Sequence, residues 1–462
     1  MMAGRLAVAT GVAAAWVAAT AGPAAAHGLG GRSDLPLPLW LFAYGAGFAL
    51  VISFVALRLL WPSPRLAGAA DGRALPARLD TAARTLALPL RLAGLAAFAV
   101  TLWAAWTGPD NVSSNIAPVV VYVVFWVGVP LLSAVVGDIW AVLSPFDTLA
   151  AVGQRLRRRD GAAEGPVKGP PPWAGRTGLA AAAVGIFLWI ELAYHSPAST
   201  KVLAVALSAY SVAMLAGAAR WGRGWLRTGD GFGVLFSLVA HLAPFYRDEE
   251  GRLRARVPFS GLARLQPRAG TAALVLIVLG GTTFDGVTRT SFWDDLVSGA
   301  RGWSLTAYHT VGLLWVIGLV ALAYVAATRV AARLSGQEPA SLTLTFVPSL
   351  VPILLAYTIA HYFSLLVFEG QGALALASDP FGSGWDLFGT ADWRIDFTAV
   401  TVATIAYVQA GAIVVGHVAG VVAAHDRAVE LLPVRQAVRS QYPVLAAMVA
   451  YTVAGLTLLL GT

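Results

Sequence analysis

A chain of 462 residues in which 58% are hydrophobic and only 12% charged has too few charges to cover a soluble globule of that size. The formal net charge of +8 is spread over short loops between apolar runs, which is a topology signal and excludes nucleic acid as the partner. The chain has no cysteine, so disulfide frameworks, thiolate metal sites and cysteine nucleophiles are excluded.

In chain order, residues 1–26 have the layout of a secretory signal peptide. Arg5 supplies the positive start, Leu6 to Ala19 the short apolar region, and Ala24 to Ala26 an Ala-x-Ala cleavage site. Cleavage there makes His27 the first residue of a single transmembrane domain, 27–462, with its N-terminus outside. In "AHGLGGRSDLPLP" Gly28, Gly30 and Gly31 loosen the histidine end while Pro36 and Pro38 stiffen the approach to the first span. The segment either leads into that span or folds back as a cap on the external face, with Asp34 pairing Arg32 or a basic loop.

Apolar runs of about 18 to 25 residues place spans near 39–60, 86–107, 118–143, 177–195, 201–220, 269–287, 305–328, 342–367, 397–423 and 443–461. The expected fold is an all-α polytopic bundle of about ten helices, both mature termini outside. The arginine-rich connections after the first, third, fifth, seventh and ninth spans all fall on one side, the cytoplasmic one by the positive-inside rule. Two of these loops are long. Residues 157–172 read as a charged, Pro/Gly-rich linker. Within 221–268, an apolar stretch of about 15 residues is too short to span and predicts a helix lying in or dipping into the inner interface, followed by a basic hairpin. "GDIWAVLSPF" (137–146) and "GDGFGVLF…LAPF" (229–245) share a pattern on that side. The external loops 283–296 and 378–397 carry acids and tryptophans, the latter expected at headgroup level.

Ionisable side chains inside a bilayer are costly and call for a functional reading. They gather toward the outer half: Glu191 and His195 four apart at the end of the fourth span, His309 in the first turn of the seventh, His361 about two turns below Glu369 on the eighth, and Asp285 ending the sixth. His195, His309 and Glu369 lie near span ends, where interfacial polar residues are also ordinary. With no cysteine, His27, His195, His309 and His361 make an imidazole and carboxylate set suited to zinc or copper, and Glu191 and Asp285 are candidate general bases. His241, His417 and His425 lie toward the inner side and read as structural. Pro348 and Pro352 are expected to bend the eighth helix below His361.

The stretches "AHGLGGRSDLPLPLWL" (26–41), "GDIWAVLSPFDTL" (137–149), "GDGFGVLFSLVAHLAPF" (229–245) and "GGTTFDGVTRTSFW" (280–293) together resemble a group of bacterial multi-pass membrane proteins labelled fenitrothion hydrolase-like. The resemblance implies a membrane-bound hydrolase of organophosphate esters in the bacterial cytoplasmic membrane. A divalent metal on the external histidines would then activate water against an apolar small-molecule substrate, with membrane lipid as the surrounding partner. Two other readings stay open. One is a transporter with a five-plus-five inverted repeat, whose halves begin with the glycine-interrupted "YGAGF" (44–48) and "LGGTTFDG" (279–286). The other is a copper-handling protein without turnover.

Overall fold

The computed structural model describes residues 37–159, 177–268 and 270–461. The expected cleavage site, His27 and Asp34 lie outside them. Ten long helical segments follow the ten apolar runs: α1 (Leu39–Leu60), α2 (Ala77–Thr107), α3 (Ile116–Val136), α4 (Gly178–Leu192), α5 (Thr200–Trp221), then α7 (Thr271–Thr288), α8 (Trp303–Ser335), α9 (Val347–Ser378), α10 (Val402–Leu431) and α11 (Val434–Leu460). Among the described residues nine of these are long and apolar enough to cross a membrane, all but α4. The chain is an all-α, multi-pass membrane protein. Several helices outrun their apolar windows, because hydropathy marks only the lipid-matched part. α8, for example, continues to Gly336, whose positive φ of 68° ends it in the left-handed region that glycine tolerates.

The centre of the bundle is α7 and α9, whose apolar stretches are mostly buried, whereas that of α2 at the rim is almost wholly exposed. The closest pair is α9 with α10. Gly416 and Gly420, four apart on α10, press against Pro352 and Ser349 of α9. A Cβ at either glycine would stand 2.8 Å from the Pro352 or the Ser349 carbonyl oxygen. Small residues at that spacing let two helices approach where lipid gives no hydrophobic drive for association. The glycines expected to interrupt α1 and α7 do not break them. Both helices run through, and the α7 glycines serve contact instead, with Gly280 against Ile317 of α8 and Gly281 against Leu188 of α4.

The irregularities lie elsewhere. α3 is π-helical over Val120–Gly128, just before Pro130, whose missing N–H and ring open the hydrogen-bond ladder. On the arginine-rich side, α6 (Gly231–Ala240) is buried on nearly every residue, packed against α3, α4 and α9. It is sunk into the bundle and does not lie on the interface, because "GFGVLFSLVA" has no polar face. Phe232 meets Phe125 and Phe187 at ring-centroid distances of 4.8 and 5.2 Å. Both its ends are closed, as a short helix among apolar neighbours requires. Asp230 Oδ1 accepts the Gly233 N–H at 3.0 Å, and the Arg256 guanidinium donates to the carbonyls of Ala240, His241 and Ala243 at 3.0–3.3 Å. The expected basic hairpin follows: β1 (Arg73–Ala74), β2 (Phe245–Arg247) and β3 (Leu253–Ala255) form a small antiparallel sheet in the order β1-β3-β2, with Tyr246 opposite Arg254.

The two Gly-Asp motifs are local equivalents that interlock. Asp138 accepts the Ala141 N–H at the start of helix Trp140–Leu143, as Asp230 does for α6. Trp140 then donates to Asp230 at 2.9 Å, and Gly137, at φ 101°, passes so close to Phe245 that a Cβ would lie 2.6 Å from its carbonyl oxygen. In the α2–α3 connection Asp110 accepts from the Thr200 N–H at 2.7 Å and from the Ser199 and Thr200 hydroxyls. The Thr200 N–H holds its carboxyl below the usual carboxylate range.

The inner-side histidines have local partners. His241 Nδ1 faces Ser237 O at 2.8 Å and His417 Nδ1 faces Ile413 O at 2.8 Å. His425 bridges Gln441 Oε1 and Trp61 O. Beside it the buried Asp426 accepts from Trp61 Nε1 at 2.8 Å and from the N–H groups of Arg65 and Leu66, closing the start of helix Leu66–Ala70. Asp426→Ala strands these donors and is expected to cost about 2–4 kcal/mol. Asp426→Asn, which keeps an acceptor oxygen, should cost less. Thermal unfolding of the detergent-solubilised variants checks the order, and equal melting of the two would refute it.

Candidate functional site

At the end of the bundle where α4 and α7 finish and α8 begins, four charged or ionisable groups come together. Asp285 sits one turn before the end of α7, and its carboxylate is in hydrogen-bond contact with His361 Nε2 on α9. His361 is buried; its side chain is 3% exposed against 19% for Asp285. Arg289, one helical turn after Asp285, brings its guanidinium to 3.3 Å from the same His361 nitrogen and 3.6 Å from Asp285 Oδ2. His361 Nε2 therefore has a partner in either state: protonated it donates to Asp285, and bare it accepts from Arg289.

The next residue on α9 reaches the second carboxylate. Tyr362 donates its hydroxyl to Glu191 Oε1 at 3.1 Å, while Glu191 Oε2 is buried with no hydrogen-bond partner among the described residues. A bare buried carboxylate oxygen is satisfied by a proton, a water or a bound ligand. Glu191 ends a helix of 15 residues, about 22 Å long at 1.5 Å per residue, shorter than a hydrocarbon core of about 30 Å. Next to His361 a cavity of about 20 Å³ opens between α7, α9 and α11, lined by Thr282, Thr283, Tyr357 and Gly455 among others, enough for one water. Gly455 leaves the notch that the Tyr357 hydroxyl occupies.

Of the residues expected from sequence, the structure joins Asp285 to His361 and sets Glu191 on the other side of the His361–Tyr362 pair. It commits the other two histidines elsewhere. His195 lies beyond α4, with its ring Nδ1 3.0 Å from Thr306 Oγ1 and its ring packed against Tyr194 and Trp303. His309 Nδ1 is 3.2 Å from Leu192 O, its ring between Phe284 and Trp293. Both fasten α8 to the end of α4. Glu369 is exposed two turns beyond His361. Among the described residues no group of three or more His, Asp or Glu is gathered closely enough to hold a metal ion. Asp285 and His361 supply two donors, and the guanidinium beside both opposes a second cation there.

Sequence reasoning missed Arg289 and Tyr362. The signal for Arg289 was the spacing "DGVTR", which puts it on the face of Asp285 once α7 runs to Thr288. Tyr362 had no signal beyond adjacency to His361. Comparison with protein-family models, with curated proteins and with solved structures gives no match to this chain.

Proposed function

We propose that this chain is a proton-coupled transporter of the cytoplasmic membrane, in which His361, held between Asp285 and Arg289, takes up and hands on the proton and Glu191 is a second proton-binding carboxylate. The observation that carries this reading is the double partnership of His361 Nε2. A buried nitrogen that is satisfied with and without its proton can exchange it without leaving a polar group stranded. Chains of Asp, Glu and His inside a helix bundle mark proton relays in pumps and transporters. With the arginine-rich connections on the cytoplasmic side, the site opens outward. The phosphotriester hydrolase implied by the resemblance would draw on the same carboxylates as bases, but a metal-bound water at Asp285 would compete with the Arg289 cation.

The test needs no substrate. Proton binding inside a membrane protein moves charge across part of the membrane, so a pH jump on the reconstituted protein, adsorbed on a supported membrane, gives a transient current. The wild-type chain is expected to give such a transient, and Glu191→Gln to give a smaller one. Wild-type membranes no different from protein-free ones would sink the reading, and turnover of an aryl phosphotriester by the same preparation would favour the hydrolase.

A further inference from the structure

Helix Pro145–Arg159 begins with the buried Pro145 and Phe146 and has two unlike faces. At about 100° per residue, positions 149, 152 and 156 fall on one stripe. On it Leu149, Val152 and Leu156 are 37%, 47% and 54% exposed. Arg155 and Arg157, both exposed, stand on either flank of that stripe. The first turn of the helix is anchored to the bundle. Phe146 packs on Phe98 of α2 and Tyr210 of α5, each at a centroid distance of 5.6 Å. Asp147 is gripped by Arg91 of α2 at 2.8 Å and by the fork of Arg223 at 2.7–2.9 Å. Arg223 comes two residues after α5 ends at Trp221. The clamp therefore fixes the start of this helix beside the end of α5, on the arginine-rich side.

We propose that Pro145–Arg159 is a membrane-surface helix that binds anionic lipid, with Leu149, Val152 and Leu156 among the acyl chains and Arg155 and Arg157 on the headgroup phosphates. The inference is independent of the proton-transport reading. An apolar stripe flanked by arginines is the pattern of a helix lying in the interface, where the stems bury and the guanidiniums reach outward. Positive residues at the cytoplasmic surface gain from its negative potential. The Asp147 clamp holds the helix at that depth instead of leaving it to the lipid alone.

Because the chain has no cysteine, Val152→Cys and Gln154→Cys can each be labelled with an environment-sensitive dye in an otherwise natural protein. The two positions lie on opposite sides of the helix. In vesicles of phosphatidylcholine mixed with phosphatidylglycerol, a quencher on the acyl chains should quench the label at 152 far more than at 154, and more than in phosphatidylcholine alone. Arg155→Gln and Arg157→Gln should each weaken that interfacial partition about fivefold, the counterpart of ~1 kcal/mol per arginine, with thermal unfolding unchanged. Equal quenching at 152 and 154, or indifference to lipid charge, overturns the proposal. Shielding at 152 that grows with the protein-to-lipid ratio would instead assign the stripe to a second copy of the chain, and overturns it too.

Discussion

Asp285→Asn is expected to abolish most of the pH-jump transient while leaving the bundle assembled. The substitution keeps the size and one acceptor oxygen but removes the charge. His361 Nε2 then faces a guanidinium and a neutral amide in place of a guanidinium and a carboxylate, so its protonated form loses the partner that matches it. Loss of a positioned proton partner costs about two orders of magnitude in rate at the low end, and the transient should slow by that much. Some loss of stability is also expected, because Arg289 keeps its charge and loses its nearest anion. It should stay below the roughly 3–5 kcal/mol seen when a fully buried pair is broken, since Arg289 is half exposed. Asp285→Glu, which restores the charge on a longer stem, should recover part of the rate. A transient of wild-type speed in Asp285→Asn, in protein that unfolds at the wild-type temperature, would remove the Asp285–His361 pair from the function.

Hydropathy made the bundle legible because lipid forces apolar runs of about 20 residues on any helix that crosses it. The ten runs are ten helices, and α6 stood out by being too short to span. Its depth was not legible. Whether an apolar helix of ten residues rests on an interface or sinks among α3, α4 and α9 depends on what surrounds it, and its caps come from Asp230 beside it and Arg256 beyond the hairpin. The same limit governs the site. Sequence placed Glu191, Asp285 and His361 toward one end of their spans, since depth follows from position in a span. It did not show which helices touch, so His195 and His309 could not be separated from His361, although they fasten α8 to α4 through Thr306 and Leu192. The glycines of α1 and α7 were misread as breaks because glycine serves close packing and helix interruption alike, and only the neighbour decides. His27 and most of the segment expected either to lead into the first span or to cap the outer face lie outside the described residues.

The largest loss of stability is expected from Asp230→Ala. Asp230 is 3% exposed and joins three elements. Its Oδ1 accepts from the Tyr210 hydroxyl of α5 at 2.7 Å and from the Gly233 N–H at 3.0 Å, and its Oδ2 from Trp140 Nε1 at 2.9 Å. The Tyr210 oxygen accepts the Gly231 N–H in turn at 3.0 Å, so one carboxylate organises the whole first turn of α6. Alanine leaves an indole N–H, a hydroxyl and a helix N-terminal N–H without acceptors where little water reaches. Each such orphan costs about 1–3 kcal/mol, and the lost cap about 1. Because these terms share one network they do not add fully, and about 4 kcal/mol is expected, at the upper end for a single substitution. Asp230→Asn keeps an oxygen for one side of the network but turns an amide donor toward either Trp140 or Tyr210, so it should fall between. Tyr210→Phe, which removes one hydroxyl and the acceptor of the Gly231 N–H but leaves the carboxylate its other partners, should cost about 1–2 kcal/mol. Thermal unfolding in detergent should therefore rank Tyr210→Phe above Asp230→Asn above Asp230→Ala. The consequence reaches the site, because α6 packs directly on α4, whose last turn carries Glu191. Loosening α6 frees the inner part of the helix that positions that carboxylate, and Asp230→Ala should diminish the pH-jump transient even at temperatures where the protein remains folded. A variant that melts with Tyr210→Phe and keeps the full transient would mean that α6 is held by its phenylalanine packing alone.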